Sequence, residues 1–137
     1  MFVHETELDV RYYETDMMGI VHHSNYIRYF ECGRNDALIS VGLPIWKIEE
    51  MGVMTPVIRV ECNYKHSAKN GERLKIVTMI KEPPMAKIII YNEIFNAQGQ
   101  LLCSGSVTLG FINSVTRKAI RAPHFFLDKF SKYFDKQ

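Results

Sequence analysis

Three cysteines are all this chain has, and Cys32, Cys62 and Cys103 are far apart with no C-x-x-C pair. That excludes a disulfide framework and gives no zinc-site pattern. Charge of one sign is also missing: 17 Lys and Arg stand against 15 Asp and Glu, interleaved without a basic stripe. A nucleic-acid partner therefore has no electrostatic footprint here. No apolar run approaches the roughly 18–20 residues of a membrane helix, and the first residues, Met1-Phe2-Val3-His4-Glu5, lack the basic-then-apolar form of a signal peptide. The expectation is a cytoplasmic protein with reduced thiols, no metal, and neither nucleic acid nor membrane as partner.

What is present is ordinary globular chemistry. At 137 residues, 47% of them hydrophobic and 23% charged, the chain suits a single domain over 1–137 with a real core. Leu8, Val10 and Tyr12 alternate with Glu7, Asp9 and Arg11, which predicts a half-buried strand over 6–12. A polar loop, Glu14 to Gly19, follows.

From Ser24 the period becomes helical. Tyr26, Ile27, Phe30, Gly33, Ala37, Leu38 and Val41 share one face, Ser24 is placed to cap, and Gly42 with Pro44 stops the helix. Gly33 in mid-helix costs about 1 kcal/mol of propensity relative to Ala, which predicts close approach to another backbone. A short helical turn is expected around Trp46–Glu50.

Thereafter the period is two. Strands are predicted over 58–65, 74–80, 87–95 and 101–112, separated by Lys69-Asn70-Gly71, Pro83-Pro84 and Asn96-Ala97-Gln98-Gly99. Pro123 opens a last helix with Phe126, Leu127, Phe130, Tyr133 and Phe134 on one side and Asp128, Lys129, Lys132 and Lys136 on the other. It reads as a docked helix or as a membrane-surface one. The order predicts an α+β layer, one long helix against an antiparallel sheet. A single helix covers only part of such a sheet, so exposed edges favour a homo-oligomer.

Asp16 lies in the loop that leads into the long helix, with Gly19, His22 and His23 between. A carboxylate beside a helix amino end suits holding an acyl group and directing water at it, and it equally suits a loop or capping residue. Glu14 is the nearest competing carboxylate. Cys32 lacks a base partner and reads as a small packing residue; Ser24 lacks a G-x-S-x-G setting.

The run Asp16-x-x-Gly19-Ile20-Val21-His22-His23-Ser24-Asn25-Tyr26 resembles the signature of hotdog-fold acyl-CoA thioesterases. The similar branch contains 4-hydroxybenzoyl-CoA thioesterase and the Tol–Pal-associated acyl-CoA thioesterases. The resemblance extends to Arg34, Gly42-Leu43-Pro44 and the strand meander. It implies a five-stranded antiparallel sheet wrapped around one long central helix, with a short C-terminal helix. It also implies sheets paired edge to edge in homodimers or homotetramers, with sites at the subunit interface, and no cofactor beyond the CoA of the substrate.

By the same resemblance Asp16 is the catalytic carboxylate, as general base or nucleophile. His23 gives its backbone N–H to the oxyanion, Gly19 allows the loop, and Tyr26 and Trp46 are acyl-pocket candidates. CoA phosphates need cations, and Lys65, Lys69 and Lys87 are the candidates. Aromatic-substrate relatives are denser in Arg and Lys near the position of Lys87, where this chain has Glu82-Pro83-Pro84-Met85-Ala86. The implied activity is hydrolysis of acyl-CoA thioesters. The rivals are an acyl-ACP thioesterase, a hotdog dehydratase, and a non-catalytic acyl-CoA or acyl-carrier-protein binding module.

Overall fold

The computed structural model describes residues 1–134. The first strand, β1, spans Phe2–Asp9 and is followed by a 3-10 turn over Tyr12–Glu14 and the long helix α1, Ser24–Ser40. A short helix α2, Ile45–Glu50, and a two-residue strand β2, Val53–Met54, lead into the meander. Its strands are β3 (Val57–Tyr64), β4 (Arg73–Ile80), β5 (Lys87–Phe95) and β6 (Leu101–Gly110). After β6 come β7 (Ile112–Asn113) and α3 (His124–Phe130).

The five long strands form one antiparallel sheet in the order β1-β4-β5-β6-β3. This is the α+β hotdog architecture that the sequence led us to expect. The inner face carries the apolar half of each alternation: Leu74, Ile76 and Ile80 from β4, Ile88, Ile90 and Ile94 from β5, and Val107 and Leu109 from β6. Against it α1 lays Tyr26, Tyr29, Phe30, Ala37 and Leu38. Gly33 is where the two layers touch, since a Cβ there would stand 2.7 Å from Ile76 Cγ2 and Thr78 Oγ1. Only a missing side chain allows that approach.

Several boundaries differ from the sequence reading. The first strand starts and ends earlier than predicted, and Tyr12, placed in phase with Leu8 and Val10, lies outside it and is exposed. The chain turns into the 3-10 segment because Glu14 accepts a bond from the Arg11 amide. Ser24 does not cap α1: His23 occupies that position without a side-chain cap, and the Ser24 hydroxyl pairs with His22 Nδ1 instead. Ile27, placed on the buried face, is 38% exposed. Asn25 and Arg34 are buried in its stead.

The alternation of β3 predicts half-burial, yet every residue but Cys62 is exposed. It is an edge strand of the sheet, met by α1 at its Tyr64 end, where that ring packs on Tyr26. Cys62 and Cys103, remote in sequence, have their sulfurs 3.2 Å apart across β3 and β6. The C-terminal stripe is docked: Phe126 packs on Phe111 and Phe130 on Phe2, with ring centroids 5.2 and 5.3 Å apart. That burial answers the membrane-surface alternative for the described part of the stripe, while Lys136 lies outside the described residues. Among the described residues, no helix is long and apolar enough to cross a membrane.

Candidate active site

The loop from Thr15 to Val21 is closed on itself. Asp16 N–H donates to the Ile20 carbonyl, Gly19 N–H donates to the Asp16 carbonyl, and Thr15 pairs with Val21. Gly19 sits at φ +78°, a conformation that L side chains rarely adopt. One oxygen of Asp16, Oδ1, accepts the Met18 N–H at 2.8 Å. This local bond fixes the carboxylate's direction while the residue stays exposed to solvent.

A second clamp ties the loop to a distant part of the chain. Val21 N–H donates to the Ala68 carbonyl, and Ile20 bridges to Lys69. Tyr26, buried on the first turn of α1, accepts the Ala68 N–H on its hydroxyl at 3.0 Å. Burial pushes the Tyr26 phenol up from its ordinary value. These contacts bring the segment after β3 beside Asp16, which no local signal could announce.

The third anchor is Glu14. Its carboxylate is buried and accepts the Arg11 N–H at 2.8 Å and the Tyr29 hydroxyl at 2.9 Å. Its carbonyl accepts His22 N–H and Asn25 Nδ2. Burial, and then Glu14, push the Tyr29 phenol far up, so it stays a hydrogen-bond donor. Glu14 thus fastens the helix entry, and its carboxylate is turned inward rather than toward the cleft.

The cleft so formed has a volume of about 250 Å³ and is lined by Asp16, Ile20, Val21, His23, Tyr26, Tyr64, Lys65, His66 and Ser67. At its back is the amino end of α1. Among the described residues the His23 N–H is given no hydrogen-bond acceptor, so it is available, with the helix dipole, to a developing negative charge. The His23 carbonyl accepts the Tyr64 hydroxyl at 3.2 Å, and its ring stacks 4.3 Å from that of His22. Burial and the nearby Cys62 push the Tyr64 phenol up to about 12. Beneath Tyr64, burial holds the Cys103 thiol protonated, and all three cysteines are free. Cys32 is exposed on α1, and partial burial of its thiol pushes the pKa up, away from the thiolate.

The structure therefore brings Asp16, Gly19, His23, Tyr26 and Lys65 together, with Lys69 on the bridging segment behind Ile20. It does not bring two other candidates there. Trp46 is exposed on α2, past the far end of α1, a helix of 17 residues and so about 25 Å long. Lys87 pairs with Gly110, whereas Tyr64 pairs with Cys103. Seven residues of β6 separate those pairings, roughly 23 Å along the strand. Tyr64 and Ser67 line the cleft and were not singled out in the sequence. Their only signal is the long-range pairing that sets where β3 ends.

Comparison with known proteins bears on the family and the fold. Residues 10–130 match the family model described as the thioesterase-like superfamily. The putative acyl-CoA thioesterase YneP of Bacillus subtilis is 36% identical over 101 residues, covering 74% of this chain and 73% of that protein. The acyl-CoA thioesterase YbgC of Helicobacter pylori strain J99 is 29% identical over 131 residues, covering 89% and 96%. Among solved structures, a DHNA-CoA thioesterase from Staphylococcus aureus superposes with a TM-score of 0.90 at 34% identity, covering 98% of this chain and 92% of that one. The chain belongs to the thioesterase-like superfamily and has its hotdog fold.

Proposed function

We propose that this protein hydrolyses acyl-CoA thioesters to the free acid and CoA at the Asp16 cleft. The observation that carries the reading is a single arrangement. An exposed, directionally fixed carboxylate stands beside a helix amino end whose His23 N–H has no acceptor among the described residues. The thioester carbonyl oxygen takes the His23 N–H, and negative charge develops there as the carbonyl is attacked. Asp16 either removes the proton from the attacking water or attacks the carbonyl itself to give a mixed anhydride that water then opens. CoA leaves as thiolate and is protonated. Under single turnover in ¹⁸O water, label in the Asp16 carboxylate identifies the anhydride route with water attacking the aspartyl carbonyl.

Lys65 is the candidate for a CoA phosphate at this cleft, with Lys69 behind it; Lys87 would have to come from another subunit. Such an assembly is part of the proposal. The edge strand β3 exposes Val57, Ile58, Val60 and Tyr64, and the catalytic loop exposes Tyr12, Tyr13, Met17 and Met18. An open edge with this much apolar surface is stabilised by pairing with a second copy, antiparallel and edge to edge. A homodimer, or a homotetramer built from it, would put each cleft at a subunit boundary. The relatives' names support an acyl-CoA hydrolase, and a cytoplasmic setting is part of the same proposal.

The test is a panel of short, long and aromatic acyl-CoAs followed by release of free thiol, with the corresponding acyl-carrier-protein thioesters run beside them. Turnover of CoA esters is expected. Binding without thiol release across the panel would instead favour a non-catalytic acyl-binding module.

A further inference from the structure

Cys62 on β3 and Cys103 on β6 lie 41 residues apart in sequence, and their sulfurs stand 3.2 Å from one another. Both are free thiols. They are not directly opposite: Cys62 pairs with Gly105 and Cys103 with Tyr64. Gly105 accounts for the close diagonal. A Cβ there would run into the Glu61 carbonyl and stand 2.9 Å from Phe30 Cε2, so the missing side chain lets the two strands approach and leaves nothing opposite Cys62 to hold its sulfur off. The two thiols are unequal. Cys103 is fully buried, and its thiol is held protonated first by burial and then by Cys62. Cys62 is partly exposed. A small oxidant therefore meets Cys62 first and finds a second sulfur already in contact behind it, the relation of an attacking to a resolving cysteine.

We infer that Cys62 and Cys103 are an oxidisable pair that hydrogen peroxide converts to a disulfide, and that this bond slows the Asp16 cleft. The Cys62 thiolate attacks one peroxide oxygen and the O–O bond breaks. Cys62 becomes a sulfenic acid, and the departing hydroxide takes up the proton that Cys62 gave, leaving as water. The Cys103 sulfur then attacks the Cys62 sulfur. The S–O bond breaks, and hydroxide leaves with the Cys103 proton as a second water. Two thiols have lost two electrons and two protons, and one peroxide has become two waters. In a reducing compartment such a bond is transient, as a redox sensor requires.

The pair reaches the cleft through Tyr64. This residue is opposite Cys103 and two positions on from Cys62. Its ring lies edge-on to Tyr26 at 5.5 Å, and its hydroxyl donates to the His23 carbonyl at 3.2 Å. Bonded sulfurs are about 2.05 Å apart, so closing the gap moves β3 and β6 against each other by about 1 Å where Tyr64 is rooted. A displacement of that size at a group that holds the helix entry costs up to about 100-fold in rate. The effect on turnover rests on the thioesterase reading above; the bond itself does not.

The test uses the full chain carrying Cys32→Ser, so that Cys62 and Cys103 are its only thiols. The protein is treated with stoichiometric hydrogen peroxide and then catalase. Thiols are counted in denaturant, beside intact mass and acyl-CoA turnover. Both thiols should vanish with a mass loss of two hydrogens, and turnover should fall about 10–100-fold. Dithiothreitol should restore all three readings. With Cys62→Ser added, Cys103 should keep its thiol and peroxide should leave turnover unchanged. Both thiols surviving, oxygen added to Cys62 while Cys103 stays titratable, or covalent dimers in place of the internal bond overturns the inference. So does a disulfide that leaves turnover unaltered. Untreated protein that hydrolyses no ester removes the thioesterase reading, and the thiol count and mass then decide the bond alone.

Discussion

Replacing Glu14 with alanine should destabilise the protein far more than an average surface change, and the contacts say by how much. The buried carboxylate accepts two short bonds, from Arg11 N–H and from the Tyr29 hydroxyl, and a longer one from Arg11 Nη1. Losing the charge-assisted bond to the Arg11 amide costs about 1.5–3 kcal/mol, and the Tyr29 hydroxyl, left buried without an acceptor, adds about 1–3 kcal/mol. The Arg11 ion pair is half in solvent and adds little. A total loss of about 2.5–6 kcal/mol is expected. Tyr29→Phe alone should cost less, about 1–2 kcal/mol, because Glu14 keeps its Arg11 partner.

The two substitutions must not add. With the hydroxyl already gone, Glu14→Ala no longer strands it, so a double-mutant cycle in urea should give a coupling energy of about 1–3 kcal/mol. The Glu14 carbonyl still holds His22 and Asn25 in every variant. Additivity to within about 0.5 kcal/mol would refute the claim that this carboxylate and phenol act as one anchor.

Gly33→Ala places a methyl group 2.7 Å from Ile76 and Thr78, so overpacking of about 1–3 kcal/mol outweighs a helix-propensity gain of about 1 kcal/mol. The urea midpoint should fall with an unchanged m value, and a stabilised variant would contradict the close packing of α1 on the sheet. Tyr29 also sets an alkaline limit. Its folded pKa is raised above the unfolded value of 10.0, so its stabilisation is complete below that pH. As pH climbs beyond it, the unfolded state loses the proton first and stability falls. Tyr29→Phe should therefore flatten the decline measured above pH 10, and an identical slope would remove Tyr29 as its cause. On the edge strand, Val60→Lys puts a charge where two copies are proposed to pair. Sedimentation should show dissociation together with lost turnover, whereas an intact, active oligomer would place the interface elsewhere.

The long helix, its stop at Gly42 and the bounds of β5 were legible because periodicity and turn residues act locally. Gly33 was legible in part: a costly residue in mid-helix implied close approach to another backbone, whereas the atoms that stand there belong to the side chains of Ile76 and Thr78. β3 was readable as a strand but not as an exposed one, since alternation says nothing about whether a helix reaches far enough to cover it. The pair β2 and β7, two residues each, leaves no pattern to find. Asp16, Gly19 and His23 stood together in sequence and stand together in space. Tyr64 and Ser67 join them through long-range bonds, Val21 to Ala68, some 47 residues on, and the Tyr64 hydroxyl to the His23 carbonyl. The inward turn of Glu14 was likewise invisible, because it depends on Tyr29, a residue of α1 lying 15 positions further along the chain.

The central claim is that the Asp16 carboxylate does the chemistry at this helix end. Asp16→Asn keeps the shape and retains an oxygen to accept the Met18 N–H, so the fold should survive, with an unchanged urea midpoint. Steady-state thiol release from the best acyl-CoA of the panel should fall by about 10²–10⁴-fold in kcat, with KM little altered. A folded Asp16→Asn protein with near wild-type kcat would contradict the account.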